Sequence, residues 1–264
     1  MTKQRVKWRA VKSPTRFFLG AALAFSLVAV RHASGAPQRE AEVEDSDRQS
    51  VNPALFPKGS HPYGESLERW AENWWRWVMS VPAAENPFFS STSDCSAGQR
   101  GPVFFVPPFP VGSKNIVRSC TVEHGTAIGV SESTVLNDFP CPDPSFVPAP
   151  GQSLFDFLLA GAVAANGDVA QIETTLDGEP LNDLLSYHYA SHDLFYFKGD
   201  LSLQTTLDSC ITGSFQPAVV DSYFILFKPL RPGHHVITRR IVTNKGIVSG
   251  PNSVNIEVLR EHAH

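Results

Sequence analysis

The run Ser222-Tyr-Phe-Ile-Leu-Phe227, the link Lys228-Pro-Leu-Arg-Pro-Gly233 and the run His235-Val-Ile-Thr-Arg-Arg-Ile-Val242 decide the fold class. The flanking runs are rich in β-branched and aromatic residues, and the link holds two prolines and a glycine. That is the pattern of strand, turn and returning strand. Ser253–Leu259 adds a further strand of the same kind. Upstream, Val169-Ala-Gln-Ile-Glu-Thr-Thr-Leu176 meets Asp177-Gly178 and returns through Glu179-Pro180, a strand closed by a hairpin dipeptide. Short strands are also expected at Val103–Val106, Arg118–Val122, Thr126–Val130, Tyr187–Tyr189 and Leu194–Phe197.

Two segments carry helical periodicity instead. Over 65–80, Leu67, Trp70, Ala71, Trp74, Trp77 and Val78 fall on one arc, with Arg69, Glu72 and Arg76 on the other side. Trp75 sits at the edge of that arc, and Pro82 ends the helix. A second helix is expected over 153–165, where Leu154, Phe157, Leu158 and Ala162 recur before Asn166-Gly167. Many short strands plus two helices predict a mainly β protein, a β-sandwich of Ig-like or jelly-roll-like type decorated by helices.

The chain starts with Lys3, Arg5, Lys7, Arg9, Lys12 and Arg16 and no acid, followed by the uncharged run Phe17–Val30 and the small residues Ala33-Ser34-Gly35-Ala36. Residues 1–36 are therefore expected to be a signal peptide, too short in its apolar run to stay as a membrane span. Residues 37–57, acidic and polar, are expected to be a disordered leader, and 58–260 a single domain. The first 36 residues hold seven of the 22 Lys+Arg and none of the 26 Asp+Glu. Their removal takes the net charge from −4 to −11. A surface that acidic repels nucleic acid. The expected location is secreted or periplasmic, without stable membrane insertion.

The cysteines at 95, 120, 141 and 210 form no Cys-x-x-Cys pair, which argues against a zinc or thioredoxin-type site. An even number in an exported chain predicts two disulfides. Three pairings are possible. Cys95–Cys120 with Cys141–Cys210 is favoured, because the others would cross-tie what read as separate hairpins.

Trp70-x3-Trp74-Trp75-x-Trp77, Cys95-x3-Gln99-x-Gly101-Pro102-Val103 and Arg118-x-Cys120-x-Val122 together resemble a family of exported bacterial proteins without an assigned activity. The likeness continues through Leu176-Asp177-Gly178-x-Pro180 and ends in Asp221-x-Tyr223-x3-Phe227-x-Pro229-Leu230-x-Pro232-Gly233-x-His235. Ser222 stands where that family has glycine. The resemblance implies a β-sandwich with a Trp-rich helix and an extracytoplasmic location, and it implies no catalytic residue.

Chemistry is sparse. Gly129-Val-Ser131-Glu-Ser133 lacks the second glycine of a nucleophile elbow. Ser191-His192-Asp193 has triad residue types, but adjacent side chains cannot line up as a relay. His188 and His192 lie about 13 Å apart along a strand, too far to share an ion. Asp138 and Asp143 near Asn137 have calcium-type chemistry without a specific spacing. Glu123, Glu173 and Asp221 stand in strand regions with nothing to single them out, and His262 and His264 form a tail. No catalytic residue, metal or cofactor is assigned. The candidate binding residue is Trp75, as part of an aromatic platform for a glycan. The expected function is a non-catalytic binding or structural module for a glycan or protein at the cell surface. The alternative is a secreted hydrolase of unrecognised type.

Overall fold

The computed structural model describes residues 52–89 and 94–261. The expected signal peptide, residues 37–51 of the expected leader, and His262 and His264 lie outside them. The described chain is mainly β, with two helices: α1 (Leu67–Ser80) and α2 (Leu154–Asn166). The strands are β1 (Val103–Phe105), β2 (Val117–Val122), β3 (Ala127–Asp138), β4 (Val169–Leu176), β5 (Glu179–Pro180), β6 (His188–Ala190), β7 (Phe195–Lys198), β8 (Phe215–Phe227), β9 (Gly233–Thr243) and β10 (Val248–Val258).

They form two mixed sheets. One runs β1-β3-β8-β6, with β7 also paired to β8; the other runs β2-β10-β9-β4-β5. Pairing is antiparallel except for β1 with β3 and β2 with β10. Strands β2 and β3, neighbours in sequence across the His124–Gly125 turn, therefore go to different sheets. The Asp177-Gly178 turn between β4 and β5 has positive φ at both residues (54° and 86°), as a two-residue hairpin matched to strand twist requires.

Strand β8 organises the first sheet, with β3 along one side and β6 and β7 along the other. Its Ala218, Val219, Val220, Phe224, Ile225, Leu226 and Phe227 are all buried. A strand buried on both faces needs cover on both. Helix α2 packs on β8 and β3, placing Leu158 and Ala162 on Val219. Helix α1 also packs on this sheet, and the indole N–H of Trp75 donates to Thr134 Oγ1 at 2.8 Å.

A bulge in β3 connects the sheets. The register with β8 shifts between Ser131 and Ser133, leaving Glu132 as the extra residue. Glu132 Oε2 accepts from Arg239 Nε of β9 at 2.6 Å and Oε1 from Thr174 Oγ1 of β4 at 2.8 Å, all three residues buried. Phe109 lies beside this layer, its ring centroid 5.4 Å from the Arg239 guanidinium and 5.5 Å from that of Arg118. Burial lowers the Arg118 pKa to about 10, which leaves it charged at neutral pH.

Three sequence expectations change. The domain starts at or before residue 52, not at 58. Leu55 is fully buried and bridges Phe227, Phe56 N–H donates to Leu226 carbonyl, and Asn52 exchanges hydrogen bonds with Asn182. Strands β3 and β8 run well beyond their expected ends. Glu72, placed on the solvent side by helical periodicity, is fully buried, because the segment after β6 covers that side of α1 and Ser191 Oγ donates to Glu72 Oε1 at 3.1 Å.

Two disulfides join Cys95 to Cys120 and Cys141 to Cys210, using all four cysteines. They fit an oxidising, extracytoplasmic environment. Among the described residues no helix is long and apolar enough to cross a membrane.

Candidate functional site

Helix α1 begins at Ser66, whose side chain accepts from Arg69 N–H, and ends where Val81 turns extended before Pro82. Along one flank, Trp70, Asn73 and Trp77 face the segment from Gly98 to Phe105. Between them lies a groove of about 660 Å³, lined also by Pro82, Glu85 and Arg100.

The opposite wall is held in place by short-range bonds. Gln99 receives the Phe105 N–H and donates to the carbonyls of Cys95 and Phe105, and Cys95 is bonded to Cys120. Gly98 has φ +68° and approaches so closely that a Cβ there would lie 2.6 Å from Val81 Cγ2. That approach lets Trp77 donate its indole N–H to Ala97 carbonyl at 2.9 Å. The ring of Phe105 lies 6.2 Å from Trp70 and 5.9 Å from Trp77. The groove thus lies over buried Trp70, Trp77 and Phe105, and its accessible groups are an amide, a carboxylate and a guanidinium.

Arg76 lines the groove but is fully engaged. Its guanidinium donates to Tyr196 carbonyl and Asn73 Oδ1, pairs with Glu72 and lies 4.7 Å from the Phe195 ring centroid. Burial raises the Glu72 pKa, against the lowering effect of Arg69 and Arg76. Arg100, by contrast, is exposed.

Trp75 is not part of this groove. It is 8% exposed, as buried as Trp70 (8%) and Trp77 (6%), and is packed edge-on against Trp74 and hydrogen-bonded to Thr134. Trp70 and Trp77, which sequence periodicity assigned to the core, are the tryptophans at the groove floor. Nothing in helical spacing distinguishes them from Trp74, because the groove is created by the segment at 98–105.

The titratable groups scatter. His188 Nε2 lies 2.8 Å from Asp221 Oδ1, which also accepts from Asn166 of α2 at 2.7 Å. His192 pairs with Glu68, His234 with Glu257 and His235 with Asp177. Ser191 is turned toward Glu72 and the Val220 N–H, away from His192. Ser131 contacts Ser222 inside the first sheet, and Glu173 pairs with Arg240. His234 and Glu257 border a second concavity, about 360 Å³ on the face of β2 and β10. Asp143 folds onto Ser145, Asn137 donates to Leu158 carbonyl, and Asp138 is buried with Gln216. These three do not converge on one point. Asp138, Cys141 and Cys210 come closest to a metal-ligand grouping, but the sulfurs are bonded to each other.

No family model and no curated protein matches this sequence. Among solved structures, the chain is similar to one from the structure of PbICP-C in complex with falcipain-2, at 7% identity and a TM-score of 0.26. That match covers 60% of this chain and 99% of that one. It is also similar to Amebosin, solved in solution, at 9% identity and a TM-score of 0.19, covering 55% and 97% respectively.

Proposed function

We propose that this protein is exported and acts outside the cytoplasm as a non-catalytic binding module, taking a surface glycan in the groove beside α1. The observation that carries this reading is the groove's composition. Sugars are ringed by hydroxyls, and the accessible lining of Asn73, Glu85 and Arg100 offers them hydrogen-bonding partners over buried Trp70, Trp77 and Phe105. Export is supported by the basic, apolar and small-residue order of residues 1–36, by the two disulfides, and by the likeness in motifs to exported bacterial proteins.

A hydrolase needs an acid, base or nucleophile gathered where substrate sits. Here the histidine–carboxylate pairs lie apart from one another, none of them lining the groove beside α1. That distribution favours binding over catalysis.

The test is glycan-array binding of the mature chain beside Asn73→Ala and Arg100→Ala. The expected result is retention on a subset of glycans, weakened by both changes. Absence of binding to every glycan would overturn the proposal.

A further inference from the structure

The aromatic side chains at the groove continue into one that is open to solvent. Trp70 is 8% and Trp77 6% exposed, whereas Tyr63, whose ring centroid lies 6.3 Å from that of Trp70, is 46% exposed. The α1 residues that line the groove run from Trp70 to Ser80, about 15 Å of helix at roughly 1.5 Å per residue. Tyr63 precedes α1 and stands at the Trp70 end of that run.

Its ring is held in place. It meets the Trp70 ring at 90° and the Phe56 ring at 71°, with the centroids 6.3 and 6.1 Å away. The turn that carries it is pinned twice. Gly64 N–H donates to His61 carbonyl at 3.1 Å, and the buried indole N–H of Trp70 donates to Pro62 carbonyl at 3.0 Å. Within this turn Tyr63 has φ 57° and ψ 25°, the left-handed region, where a Cβ crowds the following carbonyl oxygen. Glycine and asparagine enter that region at lower cost. A bulky aromatic is therefore not what the turn requires, and a ring with this much exposure is not what the core requires. Strain kept at an exposed side chain points to a use for that side chain.

We propose that Tyr63 is the stacking residue of the groove, and that it takes pyranose units whose substituents are equatorial. Such a unit turns its axial C–H bonds to apolar faces and its hydroxyls outward around the ring. The tyrosine ring suits the first, while Asn73, Glu85 and Arg100 suit the second. Because the turn is already pinned, binding orders little that was free beforehand. The inference rests on glycan binding at this groove and adds the sugar class and the ring that recognises it.

The experiment is calorimetric titration of cellohexaose and of chitohexaose into the mature chain, Tyr63→Phe and Tyr63→Asn, with a thermal melt of each protein. Wild type and Tyr63→Phe are expected to bind at least one of the two oligosaccharides with similar affinity. Tyr63→Asn, which suits the turn but has no ring, is expected to bind about tenfold or more weakly with a Tm close to that of wild type. Equal affinity of Tyr63→Asn and wild type would overturn the role of Tyr63. So would a Tm of Tyr63→Asn far below wild type, which would make the ring a packing residue, or loss of binding by Tyr63→Phe, which would place recognition in the hydroxyl. Binding of neither oligosaccharide by a chain that is retained on other glycans of an array would overturn the sugar class and leave the groove reading standing. Retention on no glycan would overturn that reading, and the role of Tyr63 with it.

Discussion

Glu132 and Arg239 join the two sheets of the sandwich through a buried ion pair, set up by a bulge that turns one residue of β3 toward β9. Oppositely charged groups in a water-poor layer attract strongly, yet each has lost its hydration. The pair is therefore costly to break on one side alone. Glu132→Ala leaves the Arg239 guanidinium buried without its carboxylate and is expected to cost about 3–5 kcal/mol, read by urea unfolding. A loss below about 1 kcal/mol would mean the layer takes up water.

A second bulge, in β10 opposite β9, depends on Gly250. Its φ is +100° and a Cβ would lie 2.3 Å from Arg239 carbonyl oxygen. Gly250→Ala is expected to destabilise by at least ~2 kcal/mol. Gly178→Ala, at positive φ but in open space, should cost only about 1 kcal/mol. Equal costs for the two substitutions would show that backbone strain, and not the clash, dominates at Gly250.

The disulfides close loops of 25 and 69 residues. Chain-entropy arguments give about 3–4 kcal/mol for Cys95–Cys120 and about 4 kcal/mol for Cys141–Cys210. Paired serine variants check this by chemical unfolding. Loss of Cys95–Cys120 should in addition weaken ligand binding, since it frees the wall at Gly98–Phe105; loss of Cys141–Cys210 should leave the wall intact.

His235 supplies a pH effect with a definite sign. Burial acts to lower its pKa, but hydrogen bonds with Asp177 and with Arg231 carbonyl outweigh it and leave the pKa raised. A histidine raised on folding contributes stability that is full below about pH 6.5 and is lost as pH climbs through the folded value. Asp177→Asn should lower the imidazole titration midpoint seen by NMR and flatten stability across that range. A midpoint unchanged by the substitution would contradict the role given to Asp177.

The fold was legible wherever local chemistry punctuates the chain. Asp177-Gly178 separates β4 from β5, Pro82 ends α1, and Ser153 opens α2. It was obscured where strands turn polar. Ser131–Asp138 lies beyond the expected strand Thr126–Val130 because Ser131, Glu132, Ser133 and Thr134 carry no alternation, yet their side chains meet partners from other elements: Ser222, Arg239, Asn166 and Trp75. Similarly, Leu55 looked like part of an acidic leader until Phe227 provided its partner. The groove was harder still. The tryptophan stripe announced a buried helix face, but which indoles border an opening depends on where residues 98–105 pass, a tertiary relation with no local signal. Trp75 at the edge of the arc is buried because Thr134 meets its N–H.

The central claim is that the groove beside α1 binds a glycan without chemistry. Its most direct measurement is calorimetric titration of an array-positive glycan into wild type, Arg100→Ala and Asn73→Ala, with the recovered glycan checked for cleavage. The account predicts binding by wild type, affinity reduced about tenfold or more by Arg100→Ala, which corresponds to about 1.4 kcal/mol, and an intact sugar. Unchanged affinity in both variants, or a cleaved sugar, would contradict it.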